Sequence, residues 1–379
     1  MAGNTLAALA PILYSSARVV PRELVGLLGG VRRDFNDQGV ALNDVVKVAL
    51  APTLVPGVIT PAQVFTVGAG RTPTQKTLTL SQQFGVSWNL NAEEDKSLAN
   101  AGVGQDLFGQ TVTQGLRALV NQIETYVWGI ARLNASRSFG TAGTAPFATD
   151  LSGLTQSNKI LDDNGAPKID RQMVINTAAG LNLRNLTQLQ KVNERGSGDM
   201  LNDGSFGRLF DFAVRESAAP VSVAVGTATP YTSSAAGFAA GSTTIALITG
   251  SGTILAGDTI SFAGDPNKYV VATGLAAPGN VVIQEPGLRQ ALPASAQAVT
   301  LQAAATANLA FDRNAIVAVV RPSLQPQGAI AEQMVISDPV TGLSFLMLRS
   351  VGDQVVSYYL RCVYDAFVPN PYAVAVLAG

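Results

Sequence analysis

The residue that most often serves as acid, base or metal ligand in enzymes, histidine, is absent from this 379-residue sequence. Its absence excludes Ser-His-Asp and Cys-His catalytic arrangements and the HExxH zinc motif. The phosphate-binding motifs GxxxxGK[ST] and GxGxxG are also missing, and the glycine-rich stretch at 140–147 lacks the lysine of a P-loop. We therefore predict no catalytic residues, no cofactor and no enzymatic activity.

Two acidic clusters remain as candidates for chemistry. The segment DDNG at 162–165, followed by Asp170, has the oxygen side chains of a calcium loop but lacks the glutamate at the twelfth loop position. A turn built from Asp, Asn and Gly explains the cluster without a metal, and we favour that interpretation. The segment EED at 93–95 is typical of a helix start, where the macrodipole favours negative charge. We expect no metal site.

Composition restricts the possible partners. Only 13% of the residues are charged, 47% are apolar, and the net charge is -1. So few charges suit a chain whose surface is largely covered by neighbours. No basic run could follow a phosphate backbone, so we expect no sequence-specific binding to nucleic acid, although a near-neutral wall is compatible with enclosing DNA.

The chain carries no signal for a membrane or for export. No apolar run approaches the ~18 residues of a membrane-spanning helix. The N-terminus has no basic region before its first apolar stretch, and its first arginine is Arg18. We expect folding in a cytoplasm and no membrane association. The single cysteine, Cys362, lies in an alternating apolar run, which favours a buried thiol.

Two unusually long elements follow the N-terminal residues. Apolar residues of one parity between Lys76 and Leu90 indicate one strand face, on the order of 50 Å long, or a bent pair of shorter strands. Such an arm would project from the body and need a neighbouring subunit to cover it. An apolar stripe then predicts a helix over roughly 103–136, about 50 Å long.

The residue pattern of the sequence changes at about residue 218. From Ala218 to Ala305 short β runs alternate with Gly, Pro and Asn turns at intervals of about ten residues, which predicts an all-β sandwich or barrel. From Thr306 a mixed pattern resumes with four further predicted strands. A β module thus interrupts a parent domain of mixed α and β structure.

Four segments carry a resemblance to a known family: NTLAALAPILYSSARVVPRELVG, ILDDNGAPKIDRQMVINTAAGLNLRNLTQLQKVNERG, GRLFDFAVRES and the closing AFVPNPYAVAV. In this order the sequence resembles, over nearly its whole length, the coat proteins of short-tailed phages related to the lambdoid Salmonella podoviruses. The resemblance implies an α+β, Hong Kong 97-like major capsid fold with an inserted all-β immunoglobulin-like (telokin-like) domain.

The resemblance implies a series of parts, and the extended loop, the spine helix and the insertion among them match segments found above. The parts are an N-terminal arm at 1–44, an extended loop (a long β hairpin) at 45–90, a peripheral domain at 91–149 with a spine helix at about 103–136, a first part of an axial domain at 150–217, the insertion at 218–305, and the axial return with C-terminal peripheral strands at 306–379.

The function expected from these features is assembly. The chain would be a structural major capsid protein that forms hexamers and pentamers of an icosahedral procapsid and encloses double-stranded DNA. The resemblance further implies a scaffolding protein and a portal protein as partners, assembly in the host cytoplasm, and a final place in the virion. Deleting residues 1–30 is expected to leave a folded monomer that cannot form shells.

Three sets of contact residues are predicted. The apolar face of the extended loop would contact a neighbouring subunit, Asp34 and Asp37 would meet a basic scaffold helix through salt-sensitive contacts, and the few charges of the insertion would meet other capsomers. A solvated turn explains the two arm aspartates equally well. The loop residues are Leu78, Leu80, Phe84 and Trp88, and those of the insertion are Asp258, Asp265 and Lys268.

Two alternatives remain open. A bacterial nanocompartment that holds an enzyme cargo would share the architecture of a shell, but the inserted β module argues against it. Residues 218–305 might instead be a sugar-binding or adhesive module, which usually needs exposed aromatic platforms. The aromatic residues of that segment are Tyr231, Phe238, Phe262 and Tyr269.

Overall fold

A computed structural model describes residues 24–34, 39–50, 74–101, 104–191, 204–324, 331–338 and 341–379. The helices are α1 (Leu27–Gly30), α2 (Ala92–Ala101), α3 (Gly104–Leu133), α4 (Ser152–Asp163), α5 (Thr177–Asn185) and α6 (Thr187–Gln190), with 3-10 turns at Arg313–Ala315 and Pro371–Ala373.

Twenty strands are described. They are β1 (Arg32–Asp34), β2 (Val45–Leu50), β3 (Thr74–Thr79), β4 (Gln82–Asn91), β5 (Arg137–Gly140), β6 (Arg171–Ile175), β7 (Arg208–Leu209), β8 (Phe212–Glu216), β9 (Tyr231–Ser233), β10 (Thr244–Thr249), β11 (Thr259–Phe262), β12 (Lys268–Thr273), β13 (Gly279–Ile283), β14 (Ala298–Leu301), β15 (Ala307–Asp312), β16 (Val317–Arg321), β17 (Ala331–Ser337), β18 (Ser344–Val351), β19 (Val355–Phe367) and β20 (Val374–Ala378).

The helix predicted over 103–136 is α3, and its 30 residues span about 45 Å. It stops three residues earlier than expected because the chain turns at Asn134 and the Ser136 N–H binds the Val374 carbonyl at 2.9 Å, which leads into β5. The predicted apolar stripe is buried from Val112 to Ile123, and these two residues are both 0% exposed. The helix is therefore amphipathic with its apolar side in the main core.

Two sheets flank the main core. In the first, β19 is central: β4 lies along one side of it, and β18 and then β16 lie along the other, with β17 and β1 outside them. The second sheet has the order β5-β20-β15-β6-β8-β7 and is mixed, with β5 parallel to β20 and β6 parallel to β8. The four strands predicted after Thr306 correspond to β16 to β19, so this part of the sequence prediction is confirmed.

The segment from 218 to 305 contains only β-strands, as predicted, and it has a core of its own. Its pairings form a ring, β11-β14-β9-β10-β13-β12 and back to β11, in which every neighbouring pair is antiparallel. The segment is thus a closed six-stranded barrel, whereas an immunoglobulin-like domain would consist of two separate sheets. Short strands and irregular registers in β10 and β12 curl the sheet enough to close it.

The barrel begins and ends at one point of the body. Ser222 and Thr306 form an isolated antiparallel bridge, so both connections to the body lie side by side. This geometry is what an insertion into a parent domain requires. The buried barrel residues are Tyr231, Ile245, Leu247, Ile254, Ile260, Phe262, Tyr269, Val271, Val281, Ile283, Leu288, Leu292 and Val299.

The extended region at 76–90 is a bent pair of strands. The strand is interrupted at Leu80 and Ser81. Their N–H groups donate to the Asp44 carbonyl and to a carboxylate oxygen of Asp365, at 2.9 Å each. β3 pairs with β2, while β4 pairs over its whole length with β19 of the same chain. The expectation that the whole region projects is therefore wrong for β4, and only the β2–β3 pair leaves the sheet.

Candidate assembly surfaces

The root of the β2–β3 pair is fixed to its own chain. Leu78 is 6% and Leu80 0% exposed, and both belong to a small apolar cluster with β16 and β19. The Lys76 Nζ adds a hydrogen bond to the Pro369 carbonyl at 2.8 Å. Leu78 and Leu80 consequently anchor the pair to the body, and little of either side chain is left for a neighbouring subunit.

Beyond this root, the β2–β3 pair exposes apolar and basic groups. Val45 is 51% exposed, and the side chains of Lys47 and Thr77 are exposed as well. Among the described residues, β2 and β3 pair only with each other. Because an isolated two-stranded ribbon is marginally stable in water, this pair is a candidate for contact with another subunit.

The outer edge of β4 is a second candidate surface. The strand pairs with β19 in unbroken register from Gln82 opposite Tyr364 to Asn91 opposite Val355, and within the described chain no strand pairs with its other side. Its sequence, QQFGVSWNLN, contains no charge and no proline. Natural edge strands are usually protected by charges, prolines, bulges or short length, and β4 has none of these protections.

Phe84 and Trp88 occupy different positions on β4. Phe84 is 42% exposed, although its ring lies 5.7 Å from that of Tyr364. Trp88 stacks on Tyr358 at 5.7 Å and lies 6.3 Å from Phe108 of the long helix. Trp88 therefore holds β4, β19 and the helix together, and of the four predicted loop residues Phe84 has the most surface free for a neighbour.

Of the two arm aspartates, only the backbone of Asp34 lies among the described residues. The backbone of Asp34 ends β1 and pairs with Val319. The side chain of Asp34 and the whole of Asp37 lie outside the described residues. Their contact with a scaffolding protein stays a prediction.

The three predicted contact residues of the insertion all have partners within their own chain. Asp258 is 3% exposed, and its Oδ2 accepts hydrogen bonds from the Gly226 and Leu255 N–H groups at 3.0 and 2.8 Å. Asp265 is 7% exposed, and its Oδ2 accepts the Tyr269 hydroxyl at 2.6 Å. Both carboxylates stabilise turns of the barrel and offer little surface to another capsomer.

Lys268 joins the barrel to the body, and other side chains at the same junction do likewise. Its Nζ donates to the Gly140 carbonyl at 2.6 Å, beside the short pairing of β12 with β5. The Arg132 Nη1 and the Gln284 Nε2 donate to the carbonyls of Gly257 and Leu133 at 3.2 and 2.8 Å. Burial lowers the pKa of Arg132. These contacts fix the barrel against the C-terminal end of α3.

The barrel offers no aromatic binding platform on its surface in the described chain. Tyr231, Phe262 and Tyr269 are at most 2% exposed, and Phe238 packs against the barrel core. Burial and the neighbouring Asp265 raise the pKa of Tyr269, which keeps its hydroxyl protonated. The structure thus contradicts the idea of a sugar-binding face built from these rings.

The acidic segment at 162–165 forms ion pairs with basic side chains. Asp162 lies 2.8 Å from Arg171, and Asp163 lies 3.4 Å from Arg137. Asp170 pairs with Arg313 at 3.3 Å. The described residues contain no group of three or more acidic or cysteine side chains positioned to hold a metal ion.

The other chemically interesting residues also have structural roles. The Glu94 N–H binds the Asn91 side chain at 2.7 Å and the Glu94 carboxylate accepts the Asn91 N–H at 3.1 Å, which is a capping box at the start of α2. Cys362 is fully buried, and burial raises its pKa to about 12. No helix in the described part of the chain combines the length and hydropathy needed to cross a membrane.

The sequence analysis did not identify Glu124, a buried acidic residue whose carboxylate joins distant parts of the chain. It lies on the buried side of α3 and is 2% exposed. Its carboxylate accepts the N–H groups of Gly26, Leu27 and Leu28 at 3.0, 2.7 and 2.8 Å and the Ser217 hydroxyl at 2.8 Å. Burial raises its pKa, against the opposing effect of these hydrogen bonds. The available signal was its spacing, since position 124 falls on the apolar face of the helix.

No protein-family model and no curated protein matches the sequence. Among solved structures, the chain is similar to the capsid structure of the cyanophage P-SCSP1u at 12% identity and a TM-score of 0.49, over 94% of this chain and 88% of that one. It is similar to a chain of Mycobacterium phage Che8 at 13% identity and a TM-score of 0.44, over 88% and 84% of the two chains.

A third similar structure is a virus-like particle from Pyrococcus furiosus, at 9% identity and a TM-score of 0.43, over 97% of this chain and 96% of that one. The solved structures that the chain resembles thus include phage capsids and a virus-like particle. At 9–13% identity the similarity concerns the fold.

Proposed function

We propose that this chain is the major capsid protein of a tailed phage, with a Hong Kong 97-like fold, and that its function is to assemble a closed shell. The observation that carries the proposal is the pair of open β surfaces: the exposed β2–β3 pair and the ten-residue edge of β4. Each lacks a second partner among the described residues. A second copy of the chain can supply that partner.

The contact between copies is heterologous in this proposal. The β2–β3 pair of one subunit lies along the β4 edge of the next, so each subunit gives one surface and receives the other. Contacts of this kind close into rings when the rotation between copies allows it. Rings of six and five copies would then make the hexamers and pentamers of an icosahedral shell.

The partners implied by the sequence belong to the same proposal. A scaffolding protein would guide assembly of a procapsid in the host cytoplasm, a portal protein would occupy one vertex, and double-stranded DNA would fill the virion. The near-neutral composition is compatible with a wall that encloses DNA without binding it in a sequence-specific way. Asp34 and Asp37 remain the proposed scaffold contacts.

Electron microscopy of the full chain, expressed alone and with the scaffolding gene beside it, tests the proposal. We expect closed, uniform shells in at least the second condition. Well-folded monomers under both conditions would rule the shell out. Analysis of native particles distinguishes the two kinds of shell, because a phage capsid contains DNA whereas a nanocompartment contains a cargo protein.

A further inference from the structure

The carboxylate of Glu124 joins three parts of the chain. It projects from α3, and its backbone donors, Gly26 to Leu28, lie at the start of the described N-terminal segment, 24–31. Its fourth donor, the Ser217 hydroxyl, lies at the end of β8, where the chain leaves for the inserted barrel. A side chain that is 2% exposed therefore bridges the N-terminal segment and the first connection to the barrel.

The N-terminal segment is packed closely on its other side as well. A Cβ atom at Gly26 would lie 2.4 Å from the Glu216 carbonyl oxygen, which is nearer than any side chain tolerates. Leu27 and Leu28 are both 0% exposed in the main core. The segment thus lies between β8 and α3, and it cannot shift without leaving Glu124.

The segment also contacts the first residues of the insertion directly. The Ala218 N–H donates to the Leu24 carbonyl at 2.9 Å, and the Ala219 N–H donates to the Ser217 hydroxyl oxygen at 3.1 Å. Ser217 therefore accepts from the barrel connection while it donates to Glu124. If the N-terminal segment left, the Glu124 carboxylate would lose three of these four donors, and if the barrel connection left, it would lose the Ser217 hydroxyl. Either loss weakens the hydrogen bonding of a carboxylate that is buried in the folded chain, which is unfavourable.

We infer that Glu124 is a coupling residue: it keeps the N-terminal segment and the first barrel connection docked on the long helix together, and the two are released together. This coupling is a property of the single chain. It therefore does not depend on the proposed shell, and a change in the position of the N-terminal segment is transmitted to the barrel.

Hydrogen exchange of the full chain, read by mass spectrometry, tests the coupling. In Glu124→Gln the side chain keeps its size, but an NH2 group replaces one acceptor, so at least one backbone donor loses its partner. We expect exchange to accelerate by about tenfold or more both at 24–31 and at 217–220, as for the loss of a hydrogen bond to a charged group. Peptides from the barrel core around Val281 should be unchanged.

Two further variants reach the same contact from either side. Gly26→Ala pushes the N-terminal segment away from β8, and Ser217→Ala removes the donor on the barrel side; each should accelerate exchange at both 24–31 and 217–220. Thr125→Ala, an exposed neighbour on the same helix, is the matched control and should change neither. If Glu124→Gln does not fold, the other two variants decide. Acceleration confined to the segment that carries each change would overturn the coupling.

Discussion

The inserted barrel and the β4–β19 sheet are both β structures, but the strand edges are paired in the barrel and open in the sheet. In the barrel, every one of the six strands has a neighbour on both sides. In the sheet, β4 presents ten residues with a partner on one side only within the described chain. The barrel satisfies its backbone internally, whereas the sheet leaves donors and acceptors available to another chain.

This difference indicates where the proposed assembly would take place. A closed ring with its own core can fold as an insertion, and it adds size without adding an edge. The open edge and the β2–β3 pair are the surfaces on which a second copy can add strands. Four changes, from the largest expected effect to the smallest, sharpen or break this comparison.

The largest effect is expected from charges on the open edge. The double variant Ser87→Lys/Asn89→Lys places two positive groups on exposed positions of β4, where they would face Lys47 of an incoming β2–β3 pair. Like charges across a strand pair are unfavourable. We expect particles to be lost in electron micrographs, while urea denaturation of the monomer shifts by less than about 0.5 kcal/mol.

The same substitution on the closed barrel is the matched control for the edge. Thr244→Lys/Ile248→Lys places two lysines on exposed positions of β10, which already pairs with β9 and β13. Particles should form normally in this variant. Loss of particles from both variants would show that charge alone, wherever it lies, prevents assembly.

A change in the barrel core is next in size. Ile245 is 0% exposed in the barrel core, and Ile245→Ala should cost about 2–5 kcal/mol. Because the barrel core is separate from the main core, hydrogen exchange should accelerate in barrel peptides and stay unchanged around Leu360. The exposed Ile248→Ala is the control. Equal acceleration in both regions would mean that the barrel is not an independent unit.

A smaller effect is expected at Asp258. Asp258→Ala leaves the Gly226 and Leu255 N–H groups without their acceptor, which should cost about 1–3 kcal/mol of barrel stability. Once this loss is offset by a lower temperature, shells should form as before. A stable Asp258→Ala monomer that fails to assemble would instead restore the proposed contact of Asp258 with another capsomer.

The smallest effect concerns the junction of the barrel with the long helix. Gln284→Ala removes the hydrogen bond to the Leu133 carbonyl and should cost about 0.5–1.5 kcal/mol by urea denaturation. Gln302, whose amide binds the Ser261 hydroxyl within the barrel, provides the control. Gln302→Ala should leave the exchange of Leu133 and its neighbours unchanged, whereas Gln284→Ala should accelerate it.

The periodicity of apolar residues predicted the helices and strands of this fold better than it predicted which of them pack together. The spacing of apolar residues gave the long helix, the all-β segment and the four late strands, because each pattern depends on local geometry. The shared parity of Leu78 and Leu80 correctly indicated one buried face. It could not tell that β16 and β19 of the same chain cover that face.

Closure of the barrel and the role of Glu124 depend on contacts between distant residues. β11 pairs with β14 across more than thirty intervening residues, and no local pattern distinguishes such a ring from two stacked sheets. The donors to Glu124 lie 93 to 98 residues away along the chain. Leu27 and Leu28 are fully buried. A truncation that is meant to leave a folded monomer should therefore remove residues 1–23 rather than residues 1–30.

Cross-linking between copies tests the open-edge contact most directly. Cys362 is buried and its pKa is raised to about 12, so introduced thiols react in its place at neutral pH. In assembled particles, Ser87→Cys on β4 combined with Lys47→Cys on β2, treated with a short bismaleimide, should give a ladder of covalent oligomers that neither single variant gives. Assembled particles without a ladder would contradict the account, as would a dimer formed by Ser87→Cys alone.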